Sequence, residues 1–297
     1  ENIILFDIVL SSLSSLSSSS LSSSSSLSTI LSFITIFNGC IVIFYWFCRN
    51  ATGSSLPPSS LMSQLLTLLP RFIYLSTNLQ CICVLVKTWF SSRGYSMQES
   101  LYLLILCLLP QLVMILGPSS PLPLLMMSVQ VILICSCFSR LKQTHFLLAD
   151  TMTLVVIWSF MTLQYFFVSG HQFSFSTLQL DSAFIGFDEF HYYTAAILLS
   201  LNTFASPILF ILALPIAVVL LLEQKKCMEH YQFALKCSLA VYIFCFALKT
   251  TLTMIFVYIA RRHLMVWRVF APKYVFDGAM LMVVDLIVLF VLCIIII

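Results

Sequence analysis

Long apolar runs alternate with short polar ones along the chain, near 29–48, 72–90, 100–117, 121–139, 147–168, 193–222, 233–260 and 275–297. Each is long enough for a helix to cross about 30 Å of hydrocarbon at about 1.5 Å per residue. Helices are the expected form, because lipid supplies no hydrogen-bond partners for a backbone that leaves its own groups unpaired. The pattern predicts an all-α fold, a polytopic transmembrane helical bundle of about eight spans. The runs 193–222 and 233–260 exceed the length a span needs, which predicts tilt or a kink at Pro207 or Pro215. "GPSSPLP" at 117–123 predicts a tight reversal between two neighbouring spans.

Residues 11–28 are only serine and leucine, without the sustained apolarity of a span. Residues 1–28 are therefore expected to be a low-complexity linker, and 29–297 a multi-span membrane domain. The chain begins with Glu1 and shows no basic segment followed by a cleavage site, so it reads as a fragment of a longer protein.

Composition agrees with the pattern: 61% of residues are hydrophobic and only 8% charged, too few charges to cover a water-soluble surface. A net charge of +3 with no basic face gives no footprint for nucleic acid. Most of the eleven cysteines lie in apolar runs, where they act as small hydrophobes. Cys81/Cys83 and Cys135/Cys137 are each two residues apart, a spacing that points them to different helix faces, so no metal site is expected.

The charges that remain orient the chain. The segment 169–192 has no lysine or arginine but carries Asp181, Asp188 and Glu189, which places it on the non-cytoplasmic side. Counting outward, Arg93, Arg140, Lys142, Lys225 and Lys226 fall on the cytoplasmic side. A loop at 49–71, with the glycosylation candidate Asn50 in Asn50-Ala51-Thr52, falls opposite. So does a loop at 261–274, which holds Arg261, Arg262, His263, Arg268 and Lys273 against the positive-inside tendency. Two readings account for these cations: interfacial anchors beside Trp267, or guanidinium groups whose planar donor fork holds lipid phosphates.

Three stretches carry a family resemblance: "SGHQFSFSTLQLDSAFIGFDEF" at 169–190, "LNTFASPILF" at 201–210 and "RRHLMVWRVFAPKYVFD" at 261–277. Together they resemble the carboxy-terminal membrane region of the glycosylphosphatidylinositol (GPI) ethanolamine phosphate transferases, and the PIG-O class in particular. The resemblance covers roughly the last 140 residues. It implies an endoplasmic reticulum enzyme that moves phosphoethanolamine from phosphatidylethanolamine to the third mannose of the GPI precursor. It also implies a luminal alkaline-phosphatase-like domain that holds zinc, and a PIG-F-like membrane subunit as partner. The sequence has no hydrophilic stretch of domain size for that catalytic part. The expected role of this chain is therefore to bind and orient lipids beside a catalytic domain, without catalytic residues or cofactor of its own. The rival readings are a lipid transporter or flippase and a non-catalytic membrane scaffold.

The candidate lipid or phosphate contacts are His171, Gln172, Arg261, Arg262, His263, Arg268 and Lys273. His171 and Gln172 follow a span, where they serve either to cap it or to touch a headgroup. Among the polar residues inside spans, Asn202 and Thr203 serve either as interhelical hydrogen-bonding glue or as substrate lining. Asp150, Lys249 and Asp285 are ionisable groups in or near the membrane, expected to face protein or a wet cavity. A Lys249–Asp285 pair between the last two spans is one such arrangement. Lys249 falls about halfway along 233–260, too deep to reach an interface.

Overall fold

A computed structural model describes residues 26–52, 60–90, 97–118, 120–141, 148–174, 178–187, 189–222 and 228–296. Its helices are α1 (Ser26–Thr52), α2 (Ser60–Phe90), α3 (Met97–Leu116), α4 (Pro121–Leu141), α5 (Leu148–Val168), α6 (Tyr192–Thr203), α7 (Ala205–Leu222), α8 (Met228–Ala260) and α9 (Leu264–Ile296). A short 3-10 turn, Leu180–Phe184, lies between α5 and α6. Seven of the helices are long and apolar enough to cross a membrane, and α6 and α7 are so only as a pair. The protein is an all-α polytopic membrane protein. The Ser/Leu tract lies outside the described residues except for its last three positions, which begin α1.

Two expected loops are largely helical. Of the segment 49–71, residues 60–71 belong to α2, which continues through Pro70. Of 261–274, only 261–263 form a turn, and α9 begins at Leu264 and runs through Pro272. Proline removes one hydrogen bond and crowds the carbonyl four residues back, a defect that transmembrane helices tolerate where neighbouring groups satisfy the freed backbone. Between α6 and α7 the same crowding ends the helix. The Pro207 ring would collide with the Thr203 carbonyl, and α6 stops at Thr203. Phe204 then starts α7, accepting the Ile208 N–H at 3.2 Å. Pro207 thus occupies the first turn of α7, where no donor is required.

The chain folds as two compact units, one of Glu1–Val129 with Gln179–Asn202 and the other of Gln130–Leu178 with Thr203–Ile297. In the first unit, α1, α2 and α3 pack against one another around Ile73, Leu101 and Met114. Polar side chains join these helices. Asn38 Nδ2 donates to Ser76 Oγ at 3.0 Å, Thr77 Oγ1 to Gln111 Oε1 at 3.1 Å, and Thr88 Oγ1 to Ser100 Oγ at 3.0 Å. The expected reversal follows α3, with Gly117 at φ +90° and its carbonyl accepting Ser120 Oγ at 2.7 Å.

The segment 178–187 is fastened to α2 just past Pro70. Arg71 Nε donates to the Gly186 carbonyl at 2.7 Å, and Tyr74 Oη donates to the Ile185 carbonyl at 3.3 Å. The Arg71 guanidinium also lies over the Phe187 ring, 5.2 Å from its centroid. Gly186 has φ +88°, and a Cβ there would stand 2.9 Å from Pro70 Cβ, so only glycine fits.

In the second unit, α5, α7, α8 and α9 pack together. Buried Trp158 donates its indole N–H to the Phe210 carbonyl at 2.9 Å, and Ser206 Oγ donates to the Thr162 carbonyl. These pairs run α5 and α7 antiparallel. Thr162 and Tyr242 share a hydroxyl hydrogen bond of 2.9 Å, which sets the register of α5 beside α8.

Candidate functional site: a charged pair at the end of α5

The register of the second unit decides where its charges stand. α5 has 21 residues, spans about 30 Å and ends at Val168. With Thr162 beside Tyr242, that end falls near Lys249 on α8. The remaining residues of α8, up to Ala260, carry the α8–α9 hairpin about 15 Å beyond it. Lys249 is the eighteenth of the 29 residues of the apolar span Gln232–Ala260, level with the end of the shorter α5.

Lys249 does not pair with Asp285. Its Nζ stands 2.8 Å from Asp277 Oδ1, an ion pair by distance whose angles lie outside hydrogen-bond geometry. Antiparallel helices joined by a short turn pair residues roughly equidistant from it. Lys249 is 13 residues before Arg262 and Asp277 is 15 after it, whereas Asp285 is 23 after. Counting outward from the turn would have found the partner, had the turn been known to be so short. Asp285 lies on α9 with Oδ1 buried and no hydrogen-bond partner among the described residues.

Aromatic rings close around the pair. The Lys249 ammonium sits 3.6 Å from the centroid of the Phe173 ring. Phe173 stacks on Phe166 at 5.0 Å and meets Phe276 edge-on at 5.8 Å. His171 is buried, its ring 5.5 Å from that of Phe166. The local cause is the end of α5: Gly170 turns at φ +87°, and the His171 N–H returns to the Phe166 carbonyl at 3.3 Å. The chain folds back over the helix end and lowers Phe173 onto Lys249. Thr250 Oγ1 reaches the Asp277 carbonyl at 3.4 Å, and Asp277 itself is buried.

The cations named from sequence do not gather in one place. Arg261, Arg262 and His263 form the exposed turn at the hairpin tip, and Arg268 is exposed on α9. Arg261 lies 4.4 Å from the Tyr258 ring centroid, and the His263 carbonyl accepts the Trp267 N–H at 2.9 Å, starting α9. Lys273 is half-buried one turn before Asp277, near enough to Lys249 for their charges to repel. Gln172 is exposed, with its carbonyl accepting the Ser174 N–H at 2.8 Å. His171 and Lys273 thus lie at the charged pair, while Arg261, Arg262 and His263 stand apart at the tip.

The other candidates have structural settings. Asn202 is fully buried and donates from Nδ2 to Gln179 Oε1 at 3.3 Å, a bond to a loop glutamine rather than to another helix. Thr203 is buried where α6 ends. Asn50 is exposed within the last turn of α1, so its sequon is helical rather than in a loop. Asp150 occupies the first turn of α5, where a carboxylate favours the helix dipole. Asp188, Arg93, Lys142, Lys225 and Lys226 lie outside the described residues.

Comparison with known proteins gives this arrangement a family. The profile of the GPI ethanolamine phosphate transferase membrane region matches residues 50–297. The catalytic subunit of human GPI ethanolamine phosphate transferase 3 is 29% identical over 161 residues, covering 42% of this chain and 15% of the human one. The Schizosaccharomyces pombe GPI ethanolamine phosphate transferase 3 is 34% identical over 128 residues, 43% of this chain and 14% of its own. The catalytic subunit of human GPI ethanolamine phosphate transferase 2 is 26% identical over 121 residues, covering 40% of this chain and 11% of that one. The chain thus spans only a small part of the relatives it matches. No solved structure matches it.

Proposed function

Because the chain belongs to the GPI ethanolamine phosphate transferase membrane-region family, we propose that it serves an enzyme moving phosphoethanolamine from phosphatidylethanolamine to the third mannose of the GPI precursor in the endoplasmic reticulum. The observation that carries the choice of mannose is the match to transferase 3 of human, mouse and two yeasts. The catalytic chemistry belongs to the part of such proteins that this chain does not cover, and the chain alone is inactive. The family resemblance assigns zinc to that part as well.

What this region contributes is proximity. Donor and acceptor are both lipids, and holding their reacting ends in one layer turns a chance encounter into an ordered one. The Lys249–Asp277 pair stands beside the end of α5, and the Arg261, Arg262 and Arg268 guanidinium groups stand at and near the hairpin tip; both are placed to meet lipid headgroups in this reading. The exposed apolar helix faces also offer room for a PIG-F-like membrane subunit.

The test is complementation. The complete protein, expressed in cells that lack their own third-mannose transferase, should restore phosphoethanolamine on that mannose, read by mass spectrometry of accumulated GPI lipids. Restoration on the second mannose alone would move the assignment to another transferase class, and no restoration on any mannose would refute it.

A further inference from the structure

Lys249 occupies a setting that a ligand's ammonium group would also fit. Its Nζ lies between a carboxylate at 2.8 Å and an aromatic face at 3.6 Å, the two surroundings that attract an ammonium ion most strongly. Two features of this site are unspent. Asp277 Oδ2 is buried and has no hydrogen-bond partner among the described residues, a cost that a second donor would remove. Lys273 stands one turn before Asp277 on α9 and its charge acts on Lys249, so two cations accompany one carboxylate. An anion and a hydrogen-bonding ammonium, a few bonds apart on one molecule, complement both.

We propose that the Lys249–Asp277 pair, roofed by Phe173, is a binding site for a phosphoethanolamine headgroup. The ligand ammonium takes the place of Lys249 Nζ between Asp277 and the Phe173 ring, and its extra N–H groups serve Asp277 Oδ2. Lys249, 22% exposed and on a flexible stem, swings outward and, with Lys273, holds the phosphate. In the empty site Lys249 neutralises Asp277 and keeps it from standing alone in an apolar setting. A choline headgroup meets the aromatic faces but brings no N–H for Asp277, so the site prefers ethanolamine to choline. The proposal rests on the transferase reading and adds to it the place where the donor headgroup is read.

The experiment uses the complete protein in lipid nanodiscs with a photoreactive phosphatidylethanolamine, mapping labelled peptides from α8 and α9. Unlabelled phosphatidylethanolamine, phosphatidylcholine and water-soluble phosphoethanolamine compete. Phosphatidylethanolamine should compete about tenfold better than phosphatidylcholine, as expected for one or two charge-assisted hydrogen bonds. Competition by soluble phosphoethanolamine shows that the headgroup suffices, and its failure shows that the lipid-borne form is the ligand. The swap Lys249→Asp/Asp277→Lys keeps an ion pair between the helices but reverses its polarity. It should retain the thermal midpoint and lose about tenfold in labelling. Phe173→Leu, which keeps an apolar side chain of similar size, should lose about fivefold. Labelling of either folded variant at the wild-type level, or equal competition by phosphatidylcholine, overturns the proposal and leaves the pair as a helix lock. Transfer activity is scored separately: wild-type transfer with unselective labelling sinks only the site, and selective labelling without transfer sinks only the enzymatic reading.

Discussion

Arg71 and Gly186, 115 residues apart in sequence, are joined by a 2.7 Å hydrogen bond from Nε to the backbone carbonyl. The bond ties the start of a transmembrane helix to the segment that precedes α6, and the left-handed backbone of Gly186 lets the chain approach Pro70 closely. Gly186→Ala should destabilise the protein by about 1–3 kcal/mol, since the new Cβ meets both a strained φ and the Pro70 ring. Arg71→Met should cost about as much, because the Gly186 carbonyl loses its charged donor. Thermal unfolding of the purified protein in detergent reads both, and unchanged midpoints would mean that this clasp is not formed.

The hydroxyl pair Thr162–Tyr242 carries the register on which the placement of Lys249 depends. Tyr242→Phe and Thr162→Val should each destabilise modestly. Their double variant should reveal a coupling of about 0.6 kcal/mol, the usual size for a hydrogen bond between membrane helices. Additive effects would place these helices in a different register.

Much of this architecture was legible in the sequence because hydrocarbon imposes one demand throughout: every span must be helical and apolar for about 30 Å. The helices Met97–Leu116, Pro121–Leu141 and Leu148–Val168 match the runs 100–117, 121–139 and 147–168 to within three residues at each end. The misreadings share a cause. Residues 60–71 and 264–274 contain prolines and arginines that read as loop, yet both continue as helix past Pro70 and Pro272. A hairpin turn of fourteen residues pairs Lys249 with Asp285, whereas the three-residue turn of the structure pairs it with Asp277. Asn38, Thr77 and Gln111 were passed over because an isolated polar residue in a span does not name its partner, which only the helix packing supplies.

The parallel register of α5 and α8 puts Gln172 and Arg262 on one side of the membrane. In sealed microsomes, single cysteines at Gln172→Cys and Arg262→Cys should be protected from a membrane-impermeant maleimide and become labelled together when the vesicles are opened. A cysteine at Met228→Cys, at the other end of α8, should react without opening. The single cysteines are placed in a background with Cys227, the neighbour of Met228, and the other native cysteines replaced by serine or alanine. Labelling of Gln172→Cys and Arg262→Cys from opposite sides would break the parallel arrangement.

Arg261, Arg262 and Arg268 are exposed, and Arg261 stacks on Tyr258. Removing exposed charges of this kind changes stability by no more than about 0.5 kcal/mol, so Arg261→Ala/Arg262→Ala/Arg268→Ala should fold and express normally. Its effect on function separates the two roles open to these cations. Guanidinium groups that grip lipid phosphate contribute through charge-assisted hydrogen bonds of about 1.5–3 kcal/mol each, so their loss should lower phosphoethanolamine transfer by tenfold or more, roughly. Guanidinium groups that only anchor the hairpin beside Trp267 act through position along the membrane normal, and lysine serves that purpose as well. Arg261→Lys/Arg262→Lys/Arg268→Lys is therefore the decisive companion: lysine replaces an anchor but not a bidentate phosphate fork. Mass spectrometry of GPI lipids in cells carrying each complete variant should show transfer reduced in both. Full transfer with the lysine variant and loss with the alanine variant would assign the cations to anchoring, and full transfer with both would leave the hairpin tip without a part in the reaction.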